Sequence, residues 1–133
     1  MTFSDFVGIP HVDLGRDRAG VDCYGLLRLV YAEMLSVDLP SFAGAYASCS
    51  EHARLGALVA GEADAGPWQL VRDVQIYDAL VFRVGRHDCH VAVAVDRTRM
   101  LHVHARSSAV IVPRNDPMWR DRFSGAYRHE ALL

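Results

Sequence analysis

One cysteine in this sequence stands where it could act as a nucleophile. Cys23 follows Asp22 and opens the stretch GVDCYGLLRLVYAEM, whose apolar residues recur at helical spacing. A cysteine in the first turn of a helix lies near unpaired amides and the positive end of the helix dipole, which favours the thiolate. The same amides would stabilise an oxyanion, so Cys23 is a candidate for covalent catalysis.

Three histidines on two predicted strands could act with this cysteine. In CHVAVAV, His90 shares a face with two alanines, and in RMLHVHA the residues His102 and His104 share a face. His90 faces the same side as these two only if the hairpin pairs residues whose numbers sum to an even value. With the Cys23 helix lying across that face, the sequence predicts a nucleophile, a base and an orienting group, and His102 and His104 both remain open for the last role.

The elements that would position these residues change type halfway along the chain. The first half predicts a short helical start near 4–9, the Cys23 helix to about Val37 with Asp22 as its N-cap, a second helix from Ser50 to Ala60 ended by Gly61, and a linker GEADAGPW. The second half predicts strands beginning at Ala79, Cys89, Arg99 and Ala109, a helical turn over 117–122 and a last strand SGAYRH. We therefore expect a single α+β domain over residues 1–133, with the helix packed on a small antiparallel sheet.

Composition excludes several other classes of protein. The chain has 133 residues, a formal net charge of −2 and no basic run, which argues against nucleic acid as a partner. No run of about 18 apolar residues predicts a membrane span. The N-terminus lacks the pattern of a signal peptide, and three cysteines without framework spacing indicate reduced thiols. We expect a chain made in the cytoplasm without a signal peptide.

The motifs resemble those of the NlpC family of cell-wall cysteine peptidases, papain-like enzymes with D-C-x-G-[LF] on a helix and H-[VA]-[AG] on a strand. GVDCYGL, CHVAVAV and RMLHV carry the resemblance. The segments IPHVDLGRDRAGVDCYGLLRLVYAE, DALVFRV and MWRDRFSGAYRH extend it over most of the chain and are similar to the branch encoded with phage tail genes. The resemblance implies a papain-like fold in which the catalytic helix packs on a C-terminal antiparallel sheet.

The same resemblance implies roles for individual residues. Cys23 would be the nucleophile, His90 the base and His102 the orienting group, with His104 as the alternative third residue. Many relatives carry a tyrosine twelve residues before the cysteine, near the oxyanion, and this chain has His11 there. Asp22 and Tyr24 are further candidates: Asp22 as a helix cap that also tunes the site, Tyr24 as a wall of the substrate groove.

The resemblance also implies the biological setting. The substrate would be the peptide part of peptidoglycan, typically cleaved between D-glutamate and a diamino acid, and no cofactor is required. The protein would act at the bacterial cell wall as part of a phage tail or tail-like particle, with tail-tip proteins as possible partners. A non-catalytic tail component with the same fold is the main alternative, because a fold does not prove turnover.

A zinc site is a second alternative. His87, Cys89 and His90 in HDCH, followed by HVH, supply enough sulfur and imidazole ligands for zinc. Because Cys89 and His90 are adjacent in a strand and face opposite ways, and the spacing matches no common zinc pattern, we expect no metal. Cys89 is then a small buried hydrophobe. Structural roles are also expected for Cys49, His52, His129, Trp68 and Trp119.

Overall fold

A six-stranded antiparallel sheet with two helices packed on it forms the frame of the protein. The computed structural model describes residues 1–46, 48 and 52–133. Its elements are β1 (Arg16–Asp17), β2 (Gly20–Val21), α1 (Cys23–Val30), α2 (His52–Ala65), β3 (Trp68–Val71), β4 (Ala79–Val84), β5 (His87–Ala94), β6 (Arg99–His102), β7 (Val110–Pro113) and β8 (Phe123–His129). The large sheet has the order β3-β8-β4-β5-β6-β7, and β1 and β2 form a separate small hairpin. Helices that precede a sheet in the chain and pack on it are the α+β arrangement that the sequence predicted.

Helix α1 begins where the sequence predicted and changes type before its predicted end. The Asp22 carboxylate accepts a hydrogen bond from the Gly25 amide at 2.7 Å, which satisfies one of the first unpaired donors of the helix. After Val30 the chain continues as one π-helical turn, Tyr31–Leu35, and Ser36 has the left-handed backbone that ends it, with φ of 55°. The predicted end near Val37 is therefore close, but the last turn is not α-helical.

Helix α2 is longer than predicted. Gly61 lies inside it, because a glycine in a helix costs only about 1 kcal/mol and does not by itself end the helix. The helix ends where the Gly66 amide donates to the Glu62 carbonyl at 3.0 Å and Pro67, which has no amide hydrogen, follows. The predicted linker GEADAGPW is therefore the end of α2 and the start of β3. The predicted cap Ser50 and Cys49 lie outside the described residues, as does the side chain of His52.

The predicted strands of the second half begin within two residues of their starts in the structure, but β6 ends at His102, three residues before the predicted end of RMLHVHA. Strand β4 begins at Ala79 as predicted, β5 begins at His87 instead of Cys89, and the predicted turn over 117–122 contains a 3-10 helix at Arg120–Arg122. Strand β3 was missed, because its four residues pair only with β8 at the far end of the chain. A short strand that depends on such a distant partner carries little local signal.

One face of β5 packs against α1. Its valines share an apolar cluster with the leucines of the helix, including Val91, Val93, Leu26 and Leu27. Side chains alternate along a strand, so His90, Ala92 and Ala94 point to the other face. The condition that the helix lies across the histidine face is therefore not met. The helix instead covers the valine face of β5, because packing its own apolar side chains on those valines buries the most apolar surface and stabilises the fold most.

The histidine face of β5 is closed by other parts of the chain. Phe82 from β4, Met100 from β6 and Trp119 from the segment before β8 form a second buried cluster there. The Phe82 ring lies 6.1 Å from the His90 ring and 5.7 Å from the Trp119 ring. The sheet is therefore buried on both faces at β5. No helix in the described parts of the chain is long and apolar enough to cross a membrane.

Candidate active site

The turn between β5 and β6 decides which side chains share the histidine face. Val93 is paired with Leu101 and Ala94 with Met100, so the numbers of paired residues sum to an even value, as the sequence analysis required. His90 and His102 consequently lie on one face, and His90 Nε2 lies 3.0 Å from His102 Nδ1. This distance is a hydrogen bond between two buried imidazole rings.

His104 lies farther from the candidate base than His102 does. Its ring centroid is 6.3 Å from that of His90, against 5.2 Å for His102, and its side chain is exposed. Parity alone could not separate the two histidines, because both leave the chain on one face. In the structure, His102 is the histidine that is hydrogen-bonded to His90.

Trp119 contacts all three of these histidines. Its ring stacks on His90 with centroids 4.3 Å apart and planes 18° apart, and it meets His102 and His104 edge-on at 5.5 and 5.4 Å. The sequence analysis treated Trp119 as a structural anchor and missed this position. No spacing rule connects the two segments, and the only available signal was that Trp119 lies in MWRDRFSGAYRH, one of the segments that carry the resemblance.

The Cys23 thiol reaches the same strand from the helix side. Its Sγ donates a hydrogen bond to the carbonyl oxygen of Cys89 at 3.7 Å, so it lies against the backbone next to His90. Among the hydrogen bonds of the described residues, none joins the thiol to the His90 ring. The structure therefore brings the histidines together on one face and the thiol to the strand backbone beside them.

The electrostatic surroundings of Cys23 differ from the prediction. Burial raises the pKa of the thiol to about 12, and the negative charge of Asp22 raises it further, while the amides of Val91 and Tyr24 act in the opposite direction. The surroundings of the thiol in the resting protein therefore act against the low-pKa thiolate that the sequence predicted. The helix amides favour the thiolate as expected, but loss of hydration is the larger effect.

The histidines are also held in their neutral form. Burial lowers the pKa of His90 well below 6.5, and the positive charges that His102, His104, His11 and Arg122 can carry lower it further. Burial likewise lowers the pKa of His102 to about 4. At neutral pH the site therefore contains a thiol and neutral imidazoles. A neutral His90 can accept a proton, which a base must do.

His11 lies at the histidine cluster. Its amide donates to the Ser107 carbonyl at 2.9 Å, and it forms a parallel bridge with Val21, just before the Cys23 helix. Burial is the main cause that lowers the pKa of His104, and the positive charge that His11 can carry lowers it further. The residue that takes the place of the tyrosine in many relatives is thus beside the candidate site.

Asp22 is the centre of a buried polar network at the start of α1. Its side chain is 2% exposed and accepts from Arg16 Nη1 at 2.8 Å, from the Gly25 amide and from the Tyr46 hydroxyl. Arg16 also donates to the Tyr46 hydroxyl at 2.7 Å and to the Ser41 carbonyl at 2.9 Å. The sequence analysis identified the cap but missed Arg16 and Tyr46. Their contacts with Asp22 depend on the positions of the β1 hairpin and of the loop that carries Tyr46, which local pattern does not predict.

A cavity opens next to Cys23 on the helix side of the sheet. Its volume is about 70 Å³, and its walls are almost entirely apolar, with Tyr24 and Phe42 among them. The Tyr24 hydroxyl donates to the Pro40 carbonyl at 2.6 Å, and its ring lies 5.5 Å from that of Phe42. Tyr24 is therefore a wall of the space beside the candidate nucleophile.

The residues considered for zinc are separated by the strand. Cys89 is buried against Tyr46 on the helix side, whereas His90 packs on Trp119 on the other side. Within the described part of the chain, no group of three or more His, Cys, Asp or Glu side chains is arranged to hold a metal ion. The alternation of side chains along β5 explains why adjacent ligands in HDCH do not converge.

The fold and the site together define a class of protein. A cysteine that opens a helix, packed on an antiparallel sheet that carries paired histidines, is the papain-like α+β arrangement. The NlpC/P60 family model matches residues 8–128, and the chain belongs to this family.

Two relatives of this chain have named activities. Murein DD-endopeptidase MepS/Murein LD-carboxypeptidase of Escherichia coli (strain K12) is 23% identical over 126 residues, which cover 95% of this chain and 58% of that protein. A probable endopeptidase of Haemophilus influenzae is 26% identical over 121 residues, which cover 90% of this chain and 65% of that protein. The chain thus spans about three-fifths of the length of the curated relatives that it matches.

Solved structures show the same fold. The NlpC/p60 domain of the peptidoglycan hydrolase SagA has a TM-score of 0.63 at 20% identity, with 95% of this chain and 92% of that chain covered. An NlpC/P60 family protein from Bacillus cereus has a TM-score of 0.68 at 21% identity, with 96% of this chain and 37% of that chain covered. The papain-like fold that the sequence predicted is confirmed.

Proposed function

We propose that this chain is a cysteine endopeptidase that hydrolyses peptide bonds in the stem peptides of bacterial peptidoglycan. The observation that carries the proposal is the 3.0 Å contact between His90 Nε2 and His102 Nδ1, where His90 lies on the strand whose backbone the Cys23 thiol contacts. Relatives named as a murein DD-endopeptidase and as a probable endopeptidase support the substrate class.

In this mechanism His90 is the base and His102 orients it. The mechanism uses the tautomer in which the His90 Nε2–H donates to His102 Nδ1, because this tautomer leaves Nδ1 of His90 unprotonated and able to accept a proton. His102 also stabilises the imidazolium that forms on His90 during the reaction. Trp119, stacked on His90, holds the ring in this orientation.

Catalysis begins when Cys23 loses its proton. The thiol leaves its hydrogen bond to the Cys89 carbonyl, its proton passes to His90 Nδ1, and Sγ attacks the scissile carbonyl carbon. The imidazolium then protonates the amine nitrogen as the C–N bond breaks. Water hydrolyses the thioester, with His90 removing a proton from the water, and the thiol is restored. Because both groups are neutral at rest, proton transfer accompanies attack instead of preceding it.

The oxyanion of each tetrahedral intermediate forms next to the first turn of α1. The Cys23 amide is one of the unpaired donors of that turn, and His11 is a second donor from the neighbouring loop. In this proposal His11 takes the role of the tyrosine that many relatives carry.

Digestion of purified peptidoglycan tests the proposed activity. Wild type should release stem-peptide fragments, identified by mass, and Cys23→Ala should release none. Cys89→Ala is the matched control, since it removes the neighbouring thiol and should leave cleavage within about tenfold of wild type. Products in which only glycan bonds are cleaved would refute the assignment. Equal digestion by wild type and Cys23→Ala would also refute it.

A non-catalytic component with the same fold is the second candidate. The observation that favours this alternative is the hydrogen bond from the Cys23 thiol to the Cys89 carbonyl, because a protonated thiol held in this way is a weaker nucleophile than a thiolate. The same digestion distinguishes the two functions. Intact peptidoglycan after treatment with folded wild type would favour a binding role.

The proposed setting is a phage tail or tail-like particle that carries the protein to the cell wall after its synthesis in the cytoplasm. The similarity of MWRDRFSGAYRH to the branch encoded with tail genes supports this setting. Mass spectrometry of purified particles from the source organism should find the chain at a fixed ratio to tail proteins. Its recovery only in the particle-free fraction would contradict the setting and leave the enzymatic proposal standing.

A further inference from the structure

The guanidinium of Arg16 is linked to both carboxylate oxygens of Asp22, the residue before the candidate nucleophile. Its Nη1 donates to Asp22 Oδ1 at 2.8 Å. Its Nη2 donates at 2.7 Å to the Tyr46 hydroxyl, which in turn donates to Asp22 Oδ2. The side chains of Arg16 and Asp22 are only 12% and 2% exposed. Water therefore screens this ion pair little, and each of its charges acts strongly on neighbouring groups.

The same guanidinium joins three segments of the chain at the first turn of α1. It donates to the carbonyls of Gly15, just before β1, and of Ser41, in the loop over 37–46, both at 2.9 Å. A Cβ added at position 25 would lie 2.0 Å from the Gly15 carbonyl oxygen and 3.0 Å from Arg16 Nη1. Because Gly25 has no side chain, the β1 hairpin can bring Arg16 up to the start of the helix.

Cys23 directly follows Asp22, so its thiol lies beside a buried negative charge. Burial is the largest cause that raises the pKa of the thiol, and the charge of Asp22 is the next. A thiolate beside a carboxylate is a pair of like charges, which is unfavourable in a buried place unless a positive group is near. The Arg16 guanidinium, bonded to that carboxylate, is a positive group in the required place.

We propose that Arg16 is a positioning residue for Cys23: its hydrogen bonds hold the first turn of α1, and its charge offsets that of Asp22, so that the thiolate can form in a buried place. The inference rests on the proposed function for its role in catalysis. The positive charge at position 16, more than the shape of the side chain, then determines how fast Cys23 reacts.

The other titratable side chains around the thiol are unchanged when Arg16 is substituted. Those that line the cavity beside it come from α1, α2, β5, β8 and the loop over 37–46, and they are Tyr24, Glu62, Cys89, Tyr127 and Tyr46. His90 points to the opposite face of β5. A change in the reactivity of the thiol therefore reports the charge that the substitution removes.

The rate at which iodoacetamide alkylates Cys23 provides the test, because it requires no substrate. Mass spectrometry separates Cys23 from the other cysteines, and between about pH 8 and 9.5 the rate follows the thiolate fraction. Arg16→Met should react about fivefold or more slowly than wild type at each pH, because the thiolate then meets an unbalanced carboxylate. Arg16→Lys keeps a positive charge and should recover most of the rate. Arg97→Met, which removes an arginine from an exposed ion pair, is the matched control and should react like wild type.

A purely structural role of Arg16 would give the opposite result. If the side chain only held the loops together, its loss would expose the thiol to water and speed alkylation. An unchanged or faster rate in Arg16→Met would therefore overturn the inference. An Arg16→Lys variant as slow as Arg16→Met would also overturn it. Circular dichroism checks that each variant is folded.

A second comparison keeps the inference testable if Arg16→Met does not fold. In Asp22→Asn/Arg16→Met neither charge of the buried pair remains, so no carboxylate is left without its partner. This double variant should react more slowly than Asp22→Asn by about the same factor that separates Arg16→Met from wild type, because the guanidinium charge favours the thiolate in both backgrounds. Equal rates in Asp22→Asn and the double variant would overturn the inference.

The outcomes separate this inference from the proposed function. If wild type leaves peptidoglycan intact but Arg16→Met slows alkylation, the endopeptidase proposal fails and the role of Arg16 stands. If wild type digests peptidoglycan but Arg16→Met and Arg97→Met are alkylated at the wild-type rate, the endopeptidase proposal stands and the role of Arg16 fails.

Discussion

His90 and His102 meet through their Nε2 and Nδ1 atoms, 3.0 Å apart, across the hairpin of β5 and β6. The contact is diagonal, because the register that pairs Val93 with Leu101 would place residue 104 directly opposite residue 90. A diagonal pair of this kind is within reach of long ring side chains. The histidine closest in register is therefore not the one that binds His90.

This relationship predicts the ranking of three variants. His102→Ala removes the acceptor that orients His90 and should lower peptidoglycan turnover by roughly 10² or more. His102→Gln restores an acceptor oxygen and should keep a measurable fraction. His104→Ala should stay within about tenfold of wild type, because His104 is exposed and not hydrogen-bonded to His90. An inactive His104→Ala beside an active His102→Ala would assign the orienting role to His104.

The charge of Asp22 predicts how the reactivity of Cys23 can be raised. Asp22→Asn removes a carboxylate that raises the pKa of the thiol, so more thiolate forms at a given pH. Asparagine is as good an N-cap as aspartate, so α1 should still begin there. At mildly alkaline pH, alkylation of Cys23 by iodoacetamide should be several-fold faster than in wild type. Asp38→Asn, whose side chain is 90% exposed, is the control. An unchanged or slower rate in Asp22→Asn would contradict this electrostatic account.

Buried histidines predict a loss of stability in acid. The pKa of His102 is about 4 in the folded protein and 6.5 when unfolded, so below pH 6.5 the unfolded chain binds more protons. The contribution is fully present above pH 6.5 and is lost as the pH falls toward 4, by up to about 3 kcal/mol. Urea unfolding across this pH range should show the loss. His102→Gln should make the free energy of unfolding less dependent on pH, and it should do so more than His104→Gln does. An equal pH dependence of the free energy of unfolding in wild type and both variants would contradict this role of His102.

The network around Asp22 predicts an unequal effect of two arginine substitutions. Arg16→Met leaves the Asp22 carboxylate, only 2% exposed, without its ion-pair partner, and should lower the free energy of unfolding by about 3 kcal/mol. Arg97→Met breaks the Arg97–Asp73 pair, whose side chains are 72% and 65% exposed, and should change it by less than about 0.5 kcal/mol. Urea denaturation followed by circular dichroism measures both. Similar losses of unfolding free energy in the two variants would show that the buried Asp22 carboxylate is not stabilised by its ion pair with Arg16.

Local chemistry in the sequence determined much of the frame. An N-cap aspartate before helical spacing predicted the start of α1, and short runs of β-branched residues predicted the strands from Ala79 onward, because caps and alternation act over a few residues. Parity gave the condition under which the histidines share a face, an even register of the hairpin, and the structure meets that condition. The motifs around Cys23 and His90 also indicated the family before any coordinate was known.

Only the tertiary structure decided how the site is assembled. The stacking of Trp119 on His90, the bonds from Arg16 and Tyr46 to Asp22, and the helix packing on the valine face join segments that are distant in the chain. The protonation state of Cys23 also depends on segments that are distant in the chain. Its position at a helix start favours the thiolate, but the pKa depends on how much water the packed chain removes, and that is known only when the neighbours of the thiol are known.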